Sequence, residues 1–193
     1  MRKQSRVQLF PTLIYDVECS DLIDDVLEEF NKSTWENDWC NRNDNVFSLK
    51  NNKKLVKKIE GIVNESLSEI EYTVPLKMST SWFTRVLPGD MGRNHYHTNS
   101  FYSGIFYFQD DNSRLVVTKE LPQIHVPFKT KNFGLVAAGD VGLEAIKGHM
   151  LLIPGYIRHY IELNINNKNR NSLAMNFMPK GFCYADDSSY NYK

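Results

Sequence analysis

Two of the five histidines, His95 and His97, are separated by a single residue near the middle of the 193-residue chain. Residues 101–108, which follow closely, are rich in aromatic side chains and are typical of a strand. In an extended chain residues i and i+2 point to the same face, whereas on a helix they lie about 200° apart. Two adjacent imidazoles can chelate one ion, and imidazole suits iron, zinc, copper or nickel better than calcium or magnesium. The pair therefore predicts half of a transition-metal site, with a surface or hydrogen-bonded histidine pair as the alternative.

A third histidine, His159, lies on a predicted strand that covers residues 156–163. An apolar strand closed by a Pro-Gly turn precedes it. Further along the chain Arg170 opens residues 170–177, where apolar and polar side chains alternate almost strictly. The sequence thus places a third candidate ligand, and then an arginine, on consecutive strands after the histidine pair.

Taken in order, these motifs resemble those of the iron(II)- and 2-oxoglutarate-dependent oxygenases. The resemblance is to a bacterial and phage branch that has His-x-His, then Ser-Gly-x-x-Tyr, then a late Pro…His and an Arg-x-Ser. In this chain the motifs are His95-Tyr96-His97, Ser103-Gly104-Ile105-Phe106-Tyr107, Pro154…His159 and Arg170-Asn171-Ser172. The resemblance extends over residues 7 to 180, because the opening Leu9-Phe10-Pro11 and the approach from Trp82 to Pro88-Gly89 also fit.

The fold that this resemblance implies is mainly β with flanking helices. It is a double-stranded β-helix, or cupin-like jelly roll, with two N-terminal supporting helices. The residues agree, because short strands separated by turn signals follow one another from Leu76 onwards. The interval between His97 and His159 accommodates about four strands of such a barrel. A chain of 193 residues is long enough for one well-buried core, so we expect a single domain over residues 1–193.

The metal implied by the resemblance is Fe(II), held by His95, His97 and His159. Three protein ligands leave positions open for 2-oxoglutarate and dioxygen. The wider superfamily has His-x-Asp or His-x-Glu where this chain has His97, so its usual carboxylate ligand is absent. A three-histidine site is one interpretation. In the other, only one histidine of the pair binds, and water or a residue such as Asp90 completes the sphere.

The cosubstrate implied by the resemblance is 2-oxoglutarate, whose distal carboxylate would be bound by Arg170, Ser172 and Tyr107. A guanidinium offers two parallel donors that match a carboxylate. Trp82 and Arg85 are expected to border the substrate pocket. These assignments follow from the resemblance and from the chemistry of each side chain.

Alternation on the last of these strands assigns its side chains to two faces. We expect the face turned into the barrel to carry Arg170, Ser172, Ala174 and Asn176. The opposite face, which would pack against the helices, is expected to carry Leu173, Met175 and Phe177.

The function expected from the resemblance is that of a dioxygenase that hydroxylates an organic substrate and decarboxylates 2-oxoglutarate to succinate. Its partners would be 2-oxoglutarate, dioxygen and a substrate that the fold does not specify. Peptide prolines, small metabolites and nucleic-acid bases are all candidates. The alternative is a cupin-type jelly roll that binds a metal or ligand with different chemistry or none. Arg170 with Tyr107 distinguishes the two, because a plain metal-binding module needs no carboxylate clamp.

Charge and cysteine content limit the kinds of partner and the cellular compartment that are expected. The 23 basic and 23 acidic residues leave no net charge, which disfavours nucleic acid as a partner. Neither a membrane-spanning apolar run nor the apolar region of a signal peptide is recognisable. Cys19, Cys40 and Cys183 are odd in number and widely spaced, which argues against a disulfide framework or a zinc ribbon. We expect a cytoplasmic protein, in the host cytoplasm if it is phage-encoded, and its oligomeric state is open.

Patterns outside the motifs predict the supporting elements. Residues 7–17 read as an edge strand because they contain a proline, and Ser20 as the N-cap of a helix that follows. A longer amphipathic helix is expected from Lys53 to Ile70. Residues 33–49 read as an irregular loop, and the polar tail after Gly181 is expected to fray.

Overall fold

A computed structural model describes most of the chain. The described residues are 12–35, 47–111, 113–119, 139–185 and 187–192. None of the helices among them is long and apolar enough to cross a membrane.

Two helices lie between the first and second strands of the described chain, α1 (Ile23–Lys32) and α2 (Lys53–Ser66). A short 3-10 helix precedes α1 at Ser20–Leu22, and another follows α2 at Ser68–Ile70. The side chain of Asn52 caps α2 by accepting a hydrogen bond from the backbone N–H of Leu55. The predicted long helix is therefore confirmed, with a 3-10 segment at its end.

The strands are antiparallel to every strand they pair with. In chain order they are β1 (Tyr15–Glu18), β2 (Leu76–Val86), β3 (Tyr102–Phe106), β4 (Arg114–Thr118), β5 (Asp140–Glu144), β6 (His149–Pro154), β7 (His159–Ile161), β8 (Arg170–Pro179), β9 (Gly181–Ala185) and β10 (Ser188–Tyr192). A five-stranded sheet has the order β1-β6-β3-β8-β2, a three-stranded sheet has the order β5-β4-β7, and β9 pairs with β10. Four of these strands, β3 to β6, lie between His97 and His159, as predicted.

The core has two layers, one on each face of the five-stranded sheet. Between the two sheets, Ile105 and Leu151 from the large sheet pack with Leu115 from the small one. On the other face, Phe106 and Phe177 pack against the apolar sides of α1 and α2. Two facing antiparallel sheets with helices on one side form a jelly roll, so the predicted double-stranded β-helix is confirmed.

The alternation predicted for β8 is also confirmed. Leu173, Met175 and Phe177 belong to the layer that packs against the helices. On the opposite face Ala174 packs against Trp82, and Arg170 and Ser172 are buried. Strand β8 therefore carries its polar side chains into the space between the sheets.

Three expectations about local structure need correction. Ser20 does not cap α1, because its hydroxyl donates to the carboxylate of Glu18 and Cys19 occupies the cap position of the first turn. The predicted strand at 156–163 shortens to β7, since residues 155–158 form the turn that leads into it. The tail after Gly181 forms the β9–β10 hairpin, in which Phe182 and Tyr184 stack at 5.3 Å, so the expectation of fraying was wrong.

Two other predicted segments lie only partly within the described residues. Of residues 7–17, the structure describes 12–17, of which 15–17 belong to β1 and 12–14 precede the strand. Of the predicted loop at 33–49, Trp35 packs edge-on against Phe30, and most of the remainder lies outside the described residues.

Candidate metal and cosubstrate site

The three predicted histidines lie side by side, and their candidate ligand nitrogens are all within 4.8 Å of one another. His95 and His159 oppose each other as an isolated antiparallel bridge, in which each N–H donates to the other's carbonyl at 3.0 and 2.8 Å. The N–H of His97 donates to the carbonyl of Gly155 at 2.9 Å. These backbone contacts bring the His-x-His segment against β7. Asp90, the alternative ligand, is not part of this cluster.

Hydrogen bonds at Nδ1 determine which nitrogen each ring offers to a metal. Nδ1 of His95 lies 2.7 Å from the carbonyl of Arg93, and Nδ1 of His159 lies 2.9 Å from the carbonyl of Ile157. A carbonyl can only accept, so these Nδ1 atoms carry the proton and the Nε2 atoms keep their lone pairs. The Nε2 atoms of His95 and His97 approach to 3.1 Å, so both point into the same space.

The orientation of His97 depends on two side chains from the large sheet. Its Nδ1 lies 2.6 Å from Oδ1 of Asn176 on β8 and 2.7 Å from the hydroxyl of Ser103 on β3. Ser103 in turn donates to Oδ1 of Asn176 at 2.9 Å. The ring of Trp82 lies 5.6 Å from that of His97. Such outer contacts fix the tautomer and angle of a metal-binding histidine.

His159 is the most buried of the three rings, with 3% of its surface exposed. Burial lowers its pKa to about 4, the carbonyl of Ile157 acts in the opposite direction, and His95 and His97 lower it slightly further. The imidazole is therefore neutral at physiological pH, which is the form that binds metals.

This donor set fits a first-row transition ion. Three imidazole nitrogens occupy about half of an octahedral sphere and leave the remaining positions for other ligands. The cluster contains no carboxylate, so a divalent ion bound here keeps its full charge. Within the part of the chain that the structure describes, His95, His97 and His159 are the residues that could hold a metal.

Arg170 lies at the opposite end of β8 from Asn176 and is deeply buried, with 1% of its side chain exposed. Its Nε forms an ion pair with Oδ2 of Asp111, whose side chain is 4% exposed. Oδ1 of Asp111 accepts hydrogen bonds from the N–H and the hydroxyl of Ser113 at 2.9 and 2.7 Å. Asp111 is thus fixed on one side by Ser113 and holds the guanidinium on the other.

The remaining donors of Arg170 are buried beside the ring of Tyr107. Neither Nη1 nor Nη2 of Arg170 has a hydrogen-bond partner among the described residues, and neither does the hydroxyl of Tyr107. The guanidinium carbon lies 5.3 Å from the centre of the Tyr107 ring. Burial raises the pKa of Tyr107 to about 12, although the charge of Arg170 opposes the shift, so the phenol keeps its proton. A buried donor without a partner lowers the stability of the folded protein. The two Nη atoms of Arg170 and the hydroxyl of Tyr107 together offer the charge and the donors that a carboxylate would bind.

The other predicted residues fall into two groups. Ser172 faces the same side as Arg170, and its hydroxyl lies 2.7 Å from that of Thr84 on β2. Trp82 lies beside His97, with 5.6 Å between the ring centres. Arg85 does not: its guanidinium stacks on the ring of Trp35 at 3.8 Å, on the helix side of the sheet. Residues three apart on a strand point to opposite faces, so Trp82 and Arg85 cannot border one pocket.

Asp111 and Ser103 contribute to the site but were not identified from sequence. Asp111 stands in a short polar stretch that is typical of a turn, and nothing nearby in sequence marks it as the partner of Arg170. Ser103 belongs to the Ser-Gly-x-x-Tyr motif, in which only Tyr107 had an expected role. Asn176 lies on the predicted face of β8, which is turned into the barrel, and there its Oδ1 contacts His97.

The geometry agrees with comparisons to known proteins. Residues 80–176 match the model of a family described as "Putative 2OG-Fe(II) oxygenase". This match covers just over half of the chain and contains the three histidines, Tyr107 and Arg170. No curated protein matches the sequence.

Solved structures of such enzymes share the fold over most of their length. A prolyl-4-hydroxylase from Pseudomonas putida is 14% identical, with a TM-score of 0.53, over 88% of this chain and 89% of its own. HygX from Streptomyces hygroscopicus, with nickel, 2-oxoglutarate and hygromycin B bound, is 12% identical, with a TM-score of 0.59, over 87% and 83%. A 2OG-Fe(II) oxygenase family oxidoreductase from Burkholderia pseudomallei is 10% identical, with a TM-score of 0.58, over 80% and 76%. At these identities the structures establish the jelly-roll fold, and the family match establishes that the chain belongs to the 2OG-Fe(II) oxygenase family.

Proposed function

We propose that the protein is an Fe(II)- and 2-oxoglutarate-dependent dioxygenase that hydroxylates an organic substrate. In the overall reaction one oxygen atom of dioxygen enters the substrate and the other enters succinate, while 2-oxoglutarate loses carbon dioxide. The observation that carries the proposal is a set of buried donors without partners among the described residues, Nη1 and Nη2 of Arg170 and the hydroxyl of Tyr107, in the same barrel as three convergent histidines. Bound iron would supply the activation of dioxygen.

The role of Arg170 is to bind the distal carboxylate of 2-oxoglutarate through Nη1 and Nη2. Its ion pair with Asp111 uses Nε alone, so the two-pronged end of the guanidinium stays available. Tyr107, which keeps its proton at neutral pH, donates a third hydrogen bond to the same carboxylate. Ser172 lies on the same face of β8 and would add a weaker contact, because its hydroxyl is shared with Thr84.

His95, His97 and His159 would hold the iron through their Nε2 atoms. Their Nδ1 atoms are engaged by the carbonyls of Arg93 and Ile157 and by the Asn176–Ser103 pair, which keeps the three rings in place before the metal arrives. Because His159 is neutral at physiological pH, it releases no proton when it binds iron.

The alternative is a cupin-type module that binds a metal without oxygenase chemistry. Such a module would gain nothing from three buried donors without partners, which cost roughly 1–3 kcal/mol each in stability. Their presence therefore favours the oxygenase.

The setting that fits this chemistry is the reducing cytoplasm, where Fe(II) and free cysteines both persist. Cys19 is buried in the core, and burial raises the pKa of its thiol to about 12, so it behaves as an apolar filler.

The test is thermal unfolding with Fe(II), with 2-oxoglutarate, and with both, made anaerobically. Cosubstrate in excess over its dissociation constant should stabilise the iron-loaded protein by about 2–4 kcal/mol, and it should have little effect without iron. Turnover of 2-oxoglutarate to succinate in air, even without a substrate, would then be measured. No stabilisation and no succinate would leave the metal-binding module as the better account.

Arg170→Lys is the informative variant for the cosubstrate. Alanine would leave Asp111 buried without its partner, which costs about 3–5 kcal/mol in stability and confuses the result. Lysine keeps the charge beside Asp111 but loses the fork, so affinity for 2-oxoglutarate should fall by about ten- to a hundred-fold while iron affinity stays unchanged. Equal cosubstrate affinity in the two proteins would remove Arg170 from this role.

A further inference from the structure

A cavity of about 320 Å³ opens next to the metal-binding histidine His97. Besides His97, its wall consists largely of five aromatic side chains, Tyr72, Tyr96, Phe101, Tyr102 and Tyr156. Its volume lies within the range of about 300–1,000 Å³ that is usual for sites that bind small molecules. The cavity therefore has the size and the position of a substrate site.

The register of the sheet places this cavity at the histidine end of the barrel. Tyr102 at the start of β3 pairs with Pro154 at the end of β6 and with Phe177 near the end of β8. Asn176, the neighbour of Phe177 on β8, contacts His97. Arg170, at the other end of β8, is buried away from this end. A substrate in the cavity would thus approach the iron from the side opposite the proposed 2-oxoglutarate clamp.

The chemistry of the wall is aromatic and uncharged. Among the described residues that line the cavity there is no Asp, Glu, Lys or Arg. Several of the rings are unusually exposed for their size, with 69% of Tyr156, 46% of Tyr96 and 41% of Phe101 open to solvent. Clusters of exposed aromatic side chains are uncommon on soluble proteins unless they bind a partner or ligand.

A second cavity of about 430 Å³ continues the first. The two share Tyr72, Ser100 and Phe101, and the second extends to Tyr184 and Tyr192 of the β9–β10 hairpin. Its described lining also lacks charged side chains. The aromatic wall therefore runs from His97 to the C-terminal hairpin and offers room for more than one ring.

We propose that this cavity binds the organic substrate and that the substrate presents an uncharged ring to it. The proposal deepens the proposed function and rests on it for the identity of the metal. Aromatic faces attract the C–H edges of rings, and they also attract cations. Here the described residues of the lining include no carboxylate to balance a cationic ligand, and Arg158 already places a positive charge 4.9 Å from the centre of the Tyr96 ring. These charges favour a neutral ring over an ammonium group.

The experiment uses four small probes of similar size on the full chain loaded with Zn(II) and 2-oxoglutarate, a combination that cannot turn over. Benzyl alcohol supplies a neutral ring, 1-hexanol a neutral chain without a ring, benzyltrimethylammonium a cation and benzoate an anion. Dissociation constants are measured by chemical-shift titration of the protein amides. Benzyl alcohol should bind most tightly of the four.

Two variants remove rings from the wall and one serves as a matched control. Phe101→Ala and Tyr156→Ala should each lower the affinity for benzyl alcohol by about two- to ten-fold, which is the range for loss of one aromatic contact. Tyr190→Ala should leave it unchanged, because Tyr190 is exposed to a similar extent, 64%, but lines neither cavity. All three positions are at the surface, so the variants should fold.

Each outcome bears on a separate claim. Equal affinity for benzyl alcohol in the wild type, Phe101→Ala and Tyr156→Ala overturns the cavity as the ring site. Tighter binding of benzyltrimethylammonium or of 1-hexanol overturns the neutral ring as the ligand class. If Zn(II) and 2-oxoglutarate fail to bind while benzyl alcohol still binds in the cavity, the proposed function fails and the ring site stands.

Discussion

Tyr107→Phe should make the free protein more stable and the cosubstrate complex weaker. The substitution removes only a hydroxyl, and that hydroxyl is buried without a hydrogen-bond partner among the described residues. The ring itself is 1% exposed and packs in the layer between the two sheets, so phenylalanine keeps its contacts. The two opposite effects arise from one atom, which makes the variant a strict test of its role.

The magnitudes follow from the state of that hydroxyl. A buried, unsatisfied polar group costs roughly 1–3 kcal/mol, so its removal should raise the free energy of unfolding by about that amount. For a chain of this size each kcal/mol corresponds to about 2–4 °C in Tm. A hydrogen bond to a carboxylate is worth roughly 1.5–3 kcal/mol, so affinity for 2-oxoglutarate should fall about 10- to 150-fold.

Two assays measure the two effects. Urea unfolding of the metal-free protein gives stability, and anaerobic titration of the charge-transfer band of the iron–2-oxoglutarate complex gives affinity. Tyr15→Phe is the control, because the Tyr15 hydroxyl already donates to Glu69 at 2.7 Å and Tyr15 packs in the core layer beside the helices, whereas Tyr107 packs in the layer between the sheets. That variant should lose a little stability and keep its cosubstrate affinity. If Tyr107→Phe is destabilised, or binds 2-oxoglutarate as tightly as the wild type, the hydroxyl is not the free donor described here.

Three further predictions concern the histidines. His159→Ala should abolish iron binding, and among replacements of His97 aspartate should be tolerated best, because it restores the carboxylate of the wider superfamily; stoichiometric iron in purified His159→Ala would contradict the assignment. Asn176→Ala should weaken iron binding by about 10- to 100-fold through the loss of the contact at Nδ1 of His97. Asn171→Ala is the control: the amide of Asn171 donates to Oε1 of Gln109 at 2.9 Å on the opposite face of β8, so this variant should leave the iron dissociation constant unchanged. In the metal-free protein, the pKa of His159 is about 4 when folded and 6.5 when unfolded, so folding favours the neutral ring. The contribution of the neutral His159 ring to the free energy of unfolding is therefore fully present above pH 6.5. It should fall by about 3 kcal/mol as the pH drops towards 4. Urea titrations across that range should show a smaller fall in His159→Gln, and an equal fall would refute the explanation.

Periodicity along single elements was enough to predict much of the fold. The two-residue repeat of β8 assigns Arg170 and Ser172 to one face and Leu173 and Met175 to the other, and the structure has the same arrangement. The same rule separates Arg85 from Trp82, and the structure has Arg85 on the ring of Trp35, on the helix side of the sheet. The apolar spacing of α2 predicted its buried side for the same reason, since backbone geometry alone fixes which residues share a face.

Pairing between strands decided the structure of the C-terminal tail. The polar composition of the C-terminal tail predicted fraying, but pairing of β9 with β10 and stacking of Phe182 on Tyr184 order it as a hairpin. Composition indicates how well a segment is solvated. The hairpin depends instead on the backbone pairing of β9 with β10, which composition does not reveal.

For the site, the sequence by itself predicted the three histidines, Arg170 and Tyr107 as candidates, because their types and order limit the chemistry they can do. Only the tertiary structure decided that Asp111 holds Arg170 and that the aromatic wall begins at His97. The ligands are recognisable locally, since a metal or a carboxylate demands particular atoms. The supporting contacts come from residues far apart in sequence, and the packing of the two sheets brings them together.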